Sequence, residues 1–128
     1  MRTLLITGGL LVSLTSMAQS LNCNSLKTGK FRLEDPISGT TLITRMDSIQ
    51  REENLKYGII SEDKIQWVDD CTFRLIPYRV LKNESKIDFS IDYKLEVQIL
   101  SIKENSYTQR TTSRLNGVSR EKEISIIK

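Results

Sequence analysis

The segment Ile91-Asp92-Tyr93-Lys94-Leu95-Glu96-Val97-Gln98-Ile99-Leu100-Ser101 decides the fold class. In an extended chain Ile91, Tyr93, Leu95, Val97 and Ile99 fall on one side, and Asp92, Lys94, Glu96 and Gln98 on the other. A helix would spread those charges around its whole surface. A strand with one wet face sorts them cleanly.

Residues 64–80 repeat the pattern. Ile65, Trp67, Cys71, Phe73 and Leu75 share one parity, and Lys64, Gln66, Asp70, Thr72 and Arg74 the other. Asp69-Asp70 marks a kink or a turn within this stretch. Pro77 has no amide hydrogen for a ladder, so a strand is expected to end or reach an edge there. Lys30-Phe31-Arg32-Leu33 alternates and stops before Asp35-Pro36. Residues 40–52 are rich in Thr and Ile and predict one long strand. Residues 57–61 predict a short one, closed by a turn at Glu62-Asp63. Residues 107–113 are polar, as on an edge or a strongly exposed strand. Asn116-Gly117 is a hairpin signal, and Ile124 and Ile126 alternate toward the C-terminus.

Together these predict an all-β domain of about seven to nine strands joined by short polar turns. A meander of this size must bury one face. It closes into a small antiparallel barrel or half-barrel of lipocalin-like form, with a sandwich as the alternative.

The N-terminus reads as an export signal. Arg2 precedes an apolar run from Leu4 to Leu14, and Ser16 and Ala18 place small residues three and one before a cut. Residues 1–18 are therefore expected to be a signal peptide, leaving 19–128 as one secreted domain. The apolar run is short of the roughly 20 residues that span a bilayer, which disfavours an anchor. Asn22 disfavours a lipid on Cys23, since small residues normally precede a lipidated cysteine. The expected location is periplasmic or extracellular, with no membrane span.

The chain has 128 residues, 19 basic and 16 acidic side chains, and no histidine. Losing Arg2 brings the balance closer to neutral, which gives no electrostatic case for nucleic acid or an anionic membrane. Without histidine, Ser–His–Asp and Cys–His chemistry is impossible. The two cysteines, Cys23 and Cys71, are too few to build a structural metal site. No phosphate-cradling glycine motif or cofactor signature is present. In an oxidising compartment the cysteines are expected to pair. The bridge would close a loop of about 49 residues and stabilise the fold by roughly 4 kcal/mol in the chain-entropy model.

Candidate site residues are few. The acidic neighbours Glu52-Glu53, Glu62-Asp63 and Asp69-Asp70 point to opposite faces of a strand, so no such pair shares a site. Asp69 has the parity of Trp67 and Cys71, which makes it a candidate buried carboxylate. The competing reading is a turn carboxylate bonded to backbone amides. Trp67, Phe73 and Tyr93 share parity with aliphatic residues, as core or as the lining of a ligand space.

Several short motifs occur in a fixed order: Gly29-Lys30-Phe31, Ile43-Thr44-Arg45, Gln50-x-Glu52 and Trp67-x-x-Asp70-Cys71-x-Phe73-x-Leu75. Leu95-Glu96-Val97 through Tyr107 completes them. In these residues the chain resembles a family of small secreted β proteins from Gram-negative bacteria, some of which carry the name "DNA topoisomerase IV". The resemblance implies an exported protein with one cysteine near the mature N-terminus and another after the tryptophan. It brings no activity with it. The topoisomerase name finds no support, because such an enzyme needs a large multidomain chain and a tyrosine nucleophile set among metal-binding acids.

The leading expectation is an exported, non-enzymatic binding module, acting as a monomer on a small apolar molecule held in the barrel. One alternative is a protein-interaction or structural envelope protein that offers strand 107–113 as an edge to a partner. The other is a carboxylate-dependent hydrolase using Asp69 or Glu52.

Overall fold

The computed structural model describes residues 21–88 and 94–128. The signal peptide expected at 1–18 and Tyr93 lie outside the described residues.

Eight strands follow a single 3-10 turn, Asn24–Leu26. They are Gly29–Asp35 (β1), Gly39–Arg45 (β2), Ile49–Asn54 (β3) and Ile59–Asp69 (β4), then Thr72–Asn83 (β5), Leu95–Ile102 (β6), Ser106–Ser113 (β7) and Ser119–Ile127 (β8). Each pairs antiparallel with the next, and β8 returns to β1 through Lys30–Ile127, Phe31–Ile126 and Arg32–Ser125. The meander is thus a closed barrel, neither a half-barrel nor a sandwich. Closure leaves no free sheet edge along the paired lengths.

Alternation selects the interior. Phe31, Ile43, Ile65, Phe73, Val97, Tyr107 and Ile124 are buried and pack as one core. In β6 the register slips between Ile99 and Ser101, which brings Ile102 opposite the buried Tyr107. Leu26 and Cys23, both buried, cap the end of the barrel where β2 finishes and β7 begins. The Cys23–Cys71 disulfide fastens this cap to the β4–β5 turn.

Three local expectations are corrected and a fourth is narrowed. Residues 40–52 form two strands, because Met46-Asp47-Ser48 turns the chain, with the Met46 amide donating to the Ile49 carbonyl at 2.8 Å. No turn interrupts β4 at Glu62-Asp63. Glu62 stays in the strand, buried beneath Arg51 and Arg79, each 2.8 Å from a carboxylate oxygen. Pro77 does not end β5 but, as the other alternative had it, lies where the strand has reached an edge on its β6 side among the described residues. It sits opposite Asp63 at a register shift, and the ladder to β6 already stops at Leu75. Residues 107–113 are no edge, since β7 pairs with β6 on one side and β8 on the other. Its polar side chains face inward as well as outward, and the interior of this barrel is partly polar.

Candidate functional site

The polar interior is built around Arg45, the last residue of β2. It keeps the inward parity of Thr41 and Ile43 and is only 2% exposed. Its guanidinium donates from Nε to Gln50 Oε1 at 2.9 Å, from Nη1 to the Leu26 carbonyl at 2.8 Å and from Nη2 to the Tyr107 hydroxyl at 2.9 Å. The rings of Phe31 and Phe73 lie 4.5 and 4.9 Å from its central carbon. Removing a guanidinium from water costs several kcal/mol. Three charge-assisted hydrogen bonds and two aromatic faces offset that cost. Among the described residues no carboxylate contacts Arg45 directly.

Two chains of hydrogen bonds leave this centre. Along β3, Gln50 Nε2 donates to Glu52 Oε2 at 2.7 Å. Along β7, the Tyr107 hydroxyl donates to Gln109 Oε1 at 3.2 Å, and Gln109 Nε2 donates to Thr111 Oγ1 at 2.9 Å. Burial raises the Tyr107 hydroxyl above its ordinary range, although Arg45 acts against that.

Beyond the network lies a cavity of about 140 Å³. Leu33, Ile43, Phe73, Leu75, Leu95 and Val97 give it apolar walls, while Gln50, Glu52, Gln109 and Thr111 supply polar groups. It adjoins a wider recess of about 390 Å³ at the opposite end from the cap, the two sharing Leu95 and Thr111. That recess also touches Asn116, Val118 and Arg120 in and beside the β7–β8 turn. Leu95 and Thr111 are therefore walls common to the cavity and to the recess at the mouth.

Burial also raises the Glu52 carboxyl, against the opposing pull of the Gln50 amide and the Arg45 charge. Asp63 on β4 stands opposite Gln50, one diagonal from Glu52 on the same face. Burial, then repulsion from Glu52, pushes its carboxyl up to about 7. Nearer the mouth, Asp35 bonds Lys122 at 2.8 Å and the amides of Ile37 and Ser38, and these hold its carboxyl well below the usual range.

The sequence-predicted residues are distributed unevenly. Phe73 is fully buried and lines the cavity. Trp67 packs on Phe73 at 4.7 Å beside the cap, with Lys27 Nζ 4.8 Å from its ring, and is not among the cavity's lining residues. Cys23 and Cys71 form the disulfide. Asp69 is exposed rather than buried: the β4–β5 turn carries it out of the barrel, and its Oδ1 accepts the Cys71 amide at 2.9 Å. Glu52 and Asp69 thus do not share a site. Arg45, Gln50 and Tyr107 stood in the sequence only as motif residues and Asp63 only in an acidic pair set aside, while Gln109 was not singled out. Parity alone could have placed Arg45 inward with Thr41 and Ile43, but not its partners.

Among the described residues no helix is long and apolar enough to cross a membrane, and no three Cys, Asp or Glu side chains cluster to hold a metal ion. No family model, curated protein or solved structure matches this chain.

Proposed function

We propose that the protein is an exported, non-enzymatic binding module that holds a small molecule inside its barrel. The observation that carries this reading is the interior cavity of about 140 Å³, which shares Leu95 and Thr111 with the recess at the mouth. Eight-stranded barrels have room for packed side chains or for one small ligand, and here the side chains leave space. The size suits a compact ligand, because apolar cavities of roughly 150 Å³ accept benzene. Apolar walls with a few convergent polar groups are the usual make-up of a small-molecule site. The Cys23–Cys71 disulfide supports an oxidising, exported location. Lack of histidine in the whole chain supports a binding role over acid–base catalysis. The partner-strand alternative loses its basis with both edges of β7 paired.

A thermal-shift panel of small neutral, acidic and basic compounds tests the reading. A ligand at a hundred times its Kd stabilises by about 2.7 kcal/mol. At least one compound should raise the Tm of the wild type, and Thr111→Phe, which puts a bulky ring into the wall of the cavity, should abolish the rise. An unresponsive panel, or a rise that Thr111→Phe leaves intact, would contradict binding inside the barrel.

A further inference from the structure

The charges inside the barrel narrow the ligand class of that reading. Gln50 and Gln109 are each engaged at both ends of their amides, between Arg45 and Glu52 and between Tyr107 and Thr111. Glu52 receives one donor among the described residues, Gln50, on Oε2. Among the described residues no donor reaches its Oε1, although Glu52 borders the cavity. A carboxylate oxygen beside six apolar side chains is matched by a strong donor carried on a compact apolar body.

Charge balance points the same way. Groups facing Glu52 are Arg45 on β2, Asp63 on β4 and the Tyr107 hydroxyl on β7. Arg45 spends its three hydrogen bonds on neutral acceptors. Lys122 and Asp35 neutralise each other closer to the mouth. Arg120 at the recess is exposed to water, which screens it. Among the described residues, neither inward acid has a cation in contact with it, because the one deep base gives all its hydrogen bonds elsewhere.

We infer that the cavity binds a small primary amine, its ammonium on Glu52 and a body the size of one six-membered ring between Leu33, Phe73, Leu75 and Val97. This inference rests on the binding-module reading above. An ammonium restores the ionised form of Glu52, which burial otherwise disfavours. Asp63, one diagonal away, is drawn toward its own ionised form by the same ammonium and then adds attraction without contact.

The test is calorimetric titration of the disulfide-bonded protein, wild type and Glu52→Gln, at about pH 7 with benzylamine and with toluene, its uncharged analogue. Glutamine keeps the shape of the side chain, and circular dichroism checks that the variant is folded. Benzylamine should bind the wild type at least tenfold more tightly than toluene, and Glu52→Gln should erase that preference. Equal binding of the two ligands would overturn the amine inference and leave the binding-module reading standing. A benzylamine preference that survives Glu52→Gln would overturn it as well, since the ammonium would sit elsewhere. Binding of neither ligand would overturn the inference and count against the binding-module reading with it.

Discussion

Replacing Arg45 by methionine isolates the energetic weight of the polar network. Methionine keeps much of the unbranched stem between Phe31 and Phe73 but removes all three donors. The Tyr107 hydroxyl can still donate to Gln109. The Leu26 carbonyl and Gln50 Oε1 lose their donor in a dry setting, and such orphaned acceptors cost about 1–3 kcal/mol each. The lost hydrogen bond to Tyr107 adds about 1 kcal/mol. Relief from guanidinium burial returns part of the sum. The net expectation is a loss of about 3 kcal/mol, a large share of the 5–15 kcal/mol typical of a domain. It corresponds to a fall in Tm of roughly 12 °C or more for a chain of this size. Urea unfolding followed by Trp67, the single tryptophan, measures it. A double-mutant cycle with Tyr107→Phe should return a coupling of about 1 kcal/mol. A loss below about 1 kcal/mol, or no coupling, would refute the view that Arg45 organises the closed end.

Reduction of the Cys23–Cys71 bridge, or Cys71→Ser, should lower stability by about 2–4 kcal/mol, read from the urea midpoint with and without reductant. A midpoint that does not move would show that the N-terminal cap holds without its covalent tie. Asp63 keeps its proton in the folded barrel up to about pH 7, whereas the unfolded chain releases it near 3.8. Its stabilising contribution is therefore complete below the unfolded value and lost as pH rises through the folded one. Asp63→Asn should accordingly gain roughly 1 kcal/mol over the wild type at about pH 8, discounted for partial solvent access, and gain nothing at about pH 3.5. A gain that does not vary with pH would contradict a buried, raised Asp63. Asp35 works in the opposite sense: its depressed carboxyl stabilises above the unfolded value and loses that contribution as pH falls. Lys122→Met should flatten this acid limb of the stability profile, and an unchanged limb would count against the Asp35–Lys122 pair.

Local alternation made the barrel legible. Leu95, Val97 and Ile99 announced an inward face without reference to any other strand, as did Phe73 and Leu75. The cysteine pair followed from the count of two and from the expectation of an oxidising compartment. What the sequence concealed depends on register. Met46-Asp47-Ser48 is short and flanked by good strand formers, so the Thr- and Ile-rich tract hid the turn. Glu62 read as a turn residue because its partners Arg51 and Arg79 are 11 and 17 residues away. Burial of Arg45 is stranger still from sequence alone, since its acceptors include Leu26 and Tyr107, 19 and 62 residues distant. The acidic pair of the interior is Glu52 with Asp63. Neither of the adjacent pairs Glu52-Glu53 and Glu62-Asp63 could have indicated it, because cross-strand pairing brings the two together.

Mass measurement of the protein purified gently from its own host tests the central claim most directly, first under native and then under denaturing electrospray conditions. The account predicts a discrete adduct of small mass that vanishes on denaturation. The denatured chain should begin at Gln19 and weigh two hydrogens less than its reduced form, for the Cys23–Cys71 bond. A native mass equal to that of the bare chain would contradict a barrel that carries a ligand.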